Sequence, residues 1–344
     1  MSKTTLPPEW FPQDAILIAW PHAETDWFPT LHDVTKCYVD IVRNILCDER
    51  VVIVAPSVEQ VQHHFPFDIT SQKSGIHVVT AASNDTWARD FGPITVMKNE
   101  RPTPVDFTFN AWGMKFAANH DNLINRELKK AGLFKNGMEN HLDMVLEGGS
   151  IESDGNGTIM TTSKCLLSPN RNEQWGKAEL EQQLMTRLGA EKVLWLDYGF
   201  MAGDDTDCHI DTLARFAPNN TIIYCGCNDP ADEHYEELQR MKQQLASFTN
   251  AQGEPYRLLE LPLPDPIFDD DYRLPATYAN FLVTNKSVLM PTYNQPQLDA
   301  EACRVVGQAF PDRTVKGIDC TALIVQHGSL HCATMQFPAN TLNI

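Results

Sequence analysis

Gly203-Asp204-Asp205-Thr206-Asp207-Cys208-His209-Ile210-Asp211-Thr212-Leu213-Ala214-Arg215-Phe216 is the stretch on which the reading of this 344-residue chain turns. Its first nine residues hold four carboxylates and a histidine, and an apolar run reading as a strand from Ile210 to Phe216 follows. So many ionisable groups at the mouth of a strand are costly unless they solvate something. Taken alone, a solvated acidic turn and a satisfied core histidine would explain the stretch as well as a binding site does. What separates these readings is that similar strand mouths recur along the chain.

Outward from this stretch the chain repeats. Ile210 to Phe216, a Pro-Asn-Asn turn and Thr221 to Cys225 make a strand pair; Tyr235, Leu238, Met241 and Leu245 then mark a helix, and Tyr256 to Leu261 a further strand. Before it, Ser150 to Glu152 and Thr158 to Thr162 flank Asp154-Gly155-Asn156-Gly157, a hairpin signal. Leu180, Leu184 and Leu188 mark the helix that follows, Gly189 its stop, and Val193 to Leu196 the next strand. An earlier unit has strands at Ile94 to Met97 and Val105 to Phe109, then a helix with Leu123, Leu128 and Ala131 ending at Gly132. A later one has Ala279 to Thr284, Ser287 to Tyr293, a helix around Leu298 to Ala309 and a strand at Val315 to Ile318. Leu330 to Phe337 supplies a last strand without a helix. The N-terminal strands Asp14 to Trp20, Val51 to Ala55 and Ile76 to Thr80, with a helix between Leu31 and Leu46, can complete it. The Pro- and Asp-rich Leu261 to Asp271 reads as a surface loop. About five such units, with the termini sharing one, argue for a repeat architecture closed on itself as a single domain over residues 1–344.

The totals narrow the function. Hydrophobic content of 42% and charged content of 21% fit a globular protein with a real core. A formal charge of −18 opposes nucleic acid and anionic membrane surfaces and favours a cationic small molecule. Nine cysteines show no disulfide framework, Met1 to Pro12 shows no signal peptide, and no apolar run reaches a membrane span, so a reducing cytoplasm is the expected setting. Monomer and homo-oligomer both stay open.

The mouths of the units carry the chemistry: Trp87-Ala88-Arg89-Asp90, Glu147-Gly148-Gly149-Ser150, His209 with Asp211, and His331-Cys332. Repetition about an axis would bring these together. A thiolate is a strong nucleophile, and a nearby histidine can protonate a leaving group and then deprotonate water. Three carboxylates are more than such a pair needs, and they would raise the thiol's pKa. The conflict disappears if the pocket binds a cation, and a guanidinium matches carboxylates bidentately. Of the two histidines, His209 is preferred as the base, because strand alternation would turn His331 away from Cys332. Two other classes stay open. Asp205, His209 and Asp211 could ligate a metal with Glu147 as base, making a metal-dependent hydrolase; or the chain could be a non-enzymatic propeller scaffold, which leaves the carboxylates and Cys332 unexplained.

Read in order, Trp87-x-Arg89-Asp90-x-Gly92-Pro93, Leu146-Glu147-Gly148-Gly149-Ser150-Ile151, Pro169-Asn170-Arg171-Asn172, Gly203-Asp204-Asp205-Thr206-Asp207-x-His209-Ile210-Asp211, Tyr278-x-Asn280-Phe281 and His331-Cys332 resemble the agmatine deiminase family. That family is grouped with bacterial peptidylarginine deiminases in the guanidine-modifying pentein superfamily, and the resemblance runs from Pro8-Glu9-Trp10 to Gln336. It implies an α/β fold, a five-bladed propeller of ββαβ repeats closed by the two termini. It implies Cys332 as nucleophile, His209 as general acid and base, and Asp90, Glu147 and Asp211 as guanidinium ligands, with no cofactor and no metal. Trp87 is implied in substrate binding, with Asp204 or Asp205 at the amine of agmatine, the implied substrate; peptidylarginine or free arginine is the alternative. The chain departs from the family at Gln326-His327-Gly328-Ser329-Leu330, where a run of glycines before the terminal His-Cys is usual, and at Cys208, where glycine is usual. These departures bear on the far end of the substrate.

Overall fold

The computed structural model describes residues 4–344; the first three residues of the N-terminal stretch read for a leader lie outside the described residues. Glycine sets the pattern of one unit. Gly155 and Gly157 take φ of 74° and 95°, values that favour glycine, and fold Ile151–Ser153 back antiparallel on Thr158–Thr162 with Ile151 opposite Thr161. The helix Lys177–Leu188 buries Leu180, Leu184 and Leu188 and stops at Gly189, whose φ is 76°. The chain then returns parallel to Thr158–Thr162 as Lys192–Leu196, with Lys192 opposite Thr158.

Four more sheets share this order of one antiparallel and one parallel neighbour. Ile94–Lys98 pairs antiparallel with Arg101–Thr108, which pairs parallel with Glu139–Val145. Ala214–Ala217, Thr221–Cys225 and Arg257–Leu261 repeat it around the helix Tyr235–Ser247. Leu282–Val283, Ser287–Thr292 and Thr314–Asp319 do so around Pro296–Ala309. The remaining sheet joins both ends of the chain: Met335–Pro338 lies antiparallel to Gln13–Ala19, which is parallel to Arg50–Ala55, itself parallel to Ile76–Thr80. The helix Leu31–Ile45 supplies its crossover. The strands bordering this helix are buried on both faces, which is why they read as unbroken apolar runs. No helix among the described residues is long and apolar enough to cross a membrane.

The differences from the sequence reading gather at one end of the units. Ile210–Thr212 is a 3-10 turn and the strand begins at Ala214, because Thr212 Oγ1 donates to His209 O at 2.8 Å and competes with ladder formation. Gly148–Ser150 is likewise 3-10, Ala279–Thr284 contracts to Leu282–Val283, and Leu330–Phe337 contracts to Met335–Pro338. Thr334 Oγ1 bonds Leu330 O and His331 O and holds that last segment as a turn. Glu139–Val145 was not read as a strand, since its exposed positions carry no alternation. The loop from Leu261 to Asp271 contributes to a two-stranded ribbon, Phe268–Asp269 against Tyr272–Arg273.

Candidate active site

Gly149 marks where the units meet. A Cβ placed on it would stand 2.6 Å from His209 Nδ1, 2.8 Å from Asp90 Oδ1 and 3.1 Å from Asp211 Oδ2. Three groups from two other mouths thus surround one backbone position, and only a residue without a side chain leaves room between them.

Each group is held by its own local structure. Asp90 sits on the short helix Ala88–Phe91, accepts from Trp112 Nε1 and from Gly149 N–H, both at 2.9 Å, and lies 3.6 Å from His209 Nδ1. Arg89 N–H donates to Cys332 O at 3.1 Å, tying this mouth to the terminal one. Glu147 is fully buried, and both its oxygens accept from Arg171 Nε, at 2.9 and 3.0 Å. Asp211 Oδ2 lies 2.7 Å from His331 Nδ1 and 3.9 Å from Cys332 Sγ, whereas Asp211 Oδ1 is buried without a partner. Asn280 Nδ2 lies 3.2 Å from Cys332 Sγ, and Asn280 Oδ1 accepts the backbone N–H groups of His331 and Cys332. Both ring nitrogens of His209 are buried without a hydrogen-bond partner.

Burial sets the electrostatics. It pushes Asp90 up to about 6, against the pull of His209 and with Asp211 adding to the push. Burial and then Asp211 and Asp90 hold the Cys332 thiol well above its ordinary range. Burial alone would lower His209, but Asp90, Cys165 and Glu147 outweigh it and hold the imidazole well above its ordinary range. Asp211 goes the other way: burial would raise it, yet the hydrogen bond and charge of His331 bring it below the usual carboxylate range. The imidazole and the carboxylates thus crowd around a notch at Gly149, with Cys332 beside Asp211.

A cavity of about 160 Å³ opens onto Cys332 and Asp90. Trp87 forms one wall, packed so closely on Gly328 that a Cβ there would meet its ring at 2.3 Å. Trp112 and Phe116 form another and stand edge to face at 5.8 Å. Trp112 is carried on an unusual turn: Ala111, Trp112, Gly113 and Met114 all take φ between 53° and 88°, with Met114 N–H bonded to Asn110 O at 2.8 Å. Left-handed helix costs roughly 1–2 kcal/mol per non-glycine residue. Asn110 steadies this turn by accepting from Gly113 N–H at 3.0 Å. Asp26, Asp85 and Asp205 line the outer part of the cavity, with His327 beside Asp205. Burial pushes Asp85 up to about 7 despite donors from Thr86 and Trp27.

Cys332, His209, Glu147, Asp90 and Asp211 are thus brought together, and Trp87 and Asp205 line the cavity. Asp204 is not: its oxygens close the turn, accepting from Thr206 Oγ1 at 2.5 Å and Cys208 N–H at 2.7 Å. The metal set of Asp205, His209 and Asp211 does not cluster either, as His209 lies nearest Glu147 and Cys165, with ligand atoms within 4.8 Å of one another. There both Glu147 oxygens share the Nε–H of the Arg171 cation, and each keeps acceptor capacity. His331 does turn from the cavity, but from a turn rather than a strand. Sequence reasoning missed Trp112, Phe116, Asp26 and Asp85. Asp85 lies two residues before Trp87 and could have been found by its place in that mouth; the others carry no local signal.

The chain matches the model of the Porphyromonas-type peptidyl-arginine deiminase family over residues 5–338. It belongs to that family. A crystal structure from Porphyromonas gingivalis provisionally named an arginine deiminase is 48% identical, with 99% of this chain and 100% of that one covered and a TM-score of 0.94. A C. jejuni agmatine deiminase, solved as a Cys-to-Ser variant with substrate bound, is 36% identical over 98% and 97% of the two chains with a TM-score of 0.90. Agmatine deiminase from Medicago truncatula is 31% identical over 366 residues, 97% of this chain and 96% of its own. The α/β fold is that of these deiminases.

Proposed function

We propose that the chain hydrolyses the guanidinium of agmatine to N-carbamoylputrescine and ammonia, with Cys332 as nucleophile. The observation that carries this is the notch at Gly149, where Asp90, Asp211 and His209 close on one backbone position with Cys332 Sγ 3.9 Å from Asp211 Oδ2. A guanidinium entering it places N–H donors against Asp90, the free Oδ1 of Asp211 and Glu147. Its positive charge offsets the carboxylates that hold the thiol neutral, so the thiol gives up its proton to solvent when substrate is bound. Sγ attacks the guanidinium carbon, and the C–N bond breaks as the leaving nitrogen takes the His209 proton and departs as ammonia. His209, now neutral, takes a proton from water as its oxygen bonds the thiouronium carbon; the C–S bond then breaks, the proton of the added hydroxyl passes to the departing sulfur, and the ureido product and the Cys332 thiol are left. The agmatine deiminases among the similar proteins support this reading.

The far end of the cavity supports agmatine over arginine. Asp26, Asp85 and Asp205 line it, with no Lys or Arg among the described residues that do, which fits an ammonium tail and repels an α-carboxylate. Free or peptide-bound arginine is the second reading, favoured by the name given to the P. gingivalis structure. We also propose that the five sheets stand as blades around a common axis in one domain, as the meeting of separate mouths at Gly149 suggests, and that the protein works in a reducing cytoplasm, where its nine free thiols are stable. The test is ammonia release from agmatine, arginine and a blocked arginine peptide, with and without chelator, with Cys332→Ser as control. Chelator-resistant turnover of agmatine alone is expected; turnover of the peptide alone would move the substrate, and no ammonia from any would overturn the assignment.

A further inference from the structure

Outside the cavity, behind Asp211, lies a buried ion network that this chemistry does not use. His331 is 1% exposed, and its ring stands between two carboxylates: Nδ1 is 2.7 Å from Asp211 Oδ2 and Nε2 is 2.7 Å from Glu9 Oε2. A carboxylate oxygen only accepts, so Nδ1–H donates to Asp211 Oδ2, while Nε2 lies against both Glu9 Oε2 and Arg215 Nη2, the latter 3.0 Å away. Glu9 is fixed in turn, its Oε1 accepting from Val283 N–H at 2.6 Å and its Oε2 bonded to Arg215. Arg215 also bonds Glu152 and donates to the carbonyls of Ala279 and Phe281 at 3.2 and 2.6 Å. Arg89 Nε reaches His331 O at 3.4 Å. Glu9, Glu152 and Asp211 therefore face the guanidinium groups of Arg89 and Arg215 and the ring of His331. Pairing of this kind is what lets so much charge be buried.

The consequence falls on Asp211. One of its oxygens is taken by His331, and the other is buried with nothing bound to it. We propose that His331, clamped by Glu9, is a positioning residue whose hydrogen bond to Oδ2 fixes the Asp211 carboxylate beside Cys332 for the substrate guanidinium. This rests on the deiminase reading of the same site. The groups facing His331 are Asp211, Glu9, Glu152, Arg215 and Arg89, and those facing Cys332 are Asp211, Asp90, Tyr38 and Tyr293.

The experiment uses the full chain with His331→Gln and Glu9→Gln, each first checked for wild-type melting. Two quantities are read: agmatine kinetics, and the pH dependence of iodoacetamide labelling at Cys332, followed by mass spectrometry of its peptide. His331→Gln is expected to lower kcat/KM on the order of 100-fold, as a misplaced binding group does. It should also move the labelling midpoint up by about one pH unit, because Asp211, 3.9 Å from Sγ, loses the donor that offsets its charge. Glu9→Gln, which leaves the ring bound to Asp211, should lower kcat/KM about tenfold without raising that midpoint. A folded His331→Gln with kcat/KM within about twofold of wild type and an unmoved midpoint would overturn the proposal. If His331→Gln does not fold, Glu9→Gln decides, and unchanged kinetics there overturn it. Should wild type not turn over agmatine at all, the deiminase reading fails, while the labelling profile still tests the role of His331.

Discussion

The two ends of the cavity hold their carboxylates differently. At the closed end Asp90, Glu147 and Asp211 are each at most 3% exposed, and each is bound by a named donor: Trp112 and Gly149, Arg171, and His331. At the open end Asp26 is exposed and Asp205 half-buried, and only Asp85 is gripped, by Thr86 and Trp27. Breaking a C–N bond needs the carbon held against Sγ within a fraction of an ångström, so its ligands are immobilised in advance. A flexible amine tail needs only negative charge within reach. The closed end is built for geometry, the open end for charge.

The most severe break is at the nucleophile. Cys332→Ser should lower kcat at least about 10⁴-fold while agmatine still binds, measured by steady-state kinetics alongside calorimetry of the variant. Gly149→Ala comes next. Its methyl would stand within 3.1 Å of three polar groups, none the end of a long flexible chain, so kcat/KM should fall on the order of 100-fold with little change in melting temperature. A Gly149→Ala enzyme with near-normal kcat/KM would show that the notch is not where the guanidinium sits. At the open end, Asp85→Asn should raise KM for agmatine about fivefold and leave kcat nearly alone, since one partly solvated charge pair is worth about 1 kcal/mol. It should not affect an alkylguanidine without the amine.

Protons discriminate the ends in the same way. Asp85 lies near 7 and Asp90 near 6, both raised by burial. A raised carboxylate is ionised above its pKa and neutral below it, so as pH falls KM for agmatine should rise first through about 7 and again through about 6. An alkylguanidine should show only the lower step. The same profile for both substrates would mean that Asp85 does not read the tail.

What was legible in the sequence follows the same division. The apolar faces of Leu180, Leu184 and Leu188, or of Leu238, Met241 and Leu245, located their helices because burial repeats at 3.6 residues. The hairpin at Asp154 to Gly157 was legible because only certain residues make that turn. The strand starts at Ser150, Ile210, Ala279 and Leu330 were overextended, and these are the places where backbone turns out of the ladder to aim or frame Glu147, Gly149, His209, Asp211 and Cys332. Local preference for strand yields there to the site. The outer wall was least legible, because Trp112 and Phe116 reach it through a left-handed turn that nothing in Asn110-Ala111-Trp112-Gly113 announces.

Left-handed backbone also accounts for both departures from the family pattern. Cys208 takes φ of 63° and His327 takes 68°, conformations that glycine adopts without strain. At Cys208 the side chain is buried away from the cavity, so Cys208→Gly exchanges relief of roughly 1 kcal/mol of backbone strain for lost packing. Its stability should shift by no more than about 1 kcal/mol and its kinetics not at all. His327 is different, because Nδ1–H donates to Gly203 O at 2.9 Å and the ring lines the cavity beside Asp205. Removing it enlarges the open end and leaves Gly149, Asp90 and Cys332 untouched. His327→Gly should therefore change KM for agmatine by about two- to threefold with kcat constant, the smallest kinetic effect expected here. A fall in kcat instead would place His327 in the chemistry, and the separation between an end for geometry and an end for charge would not hold.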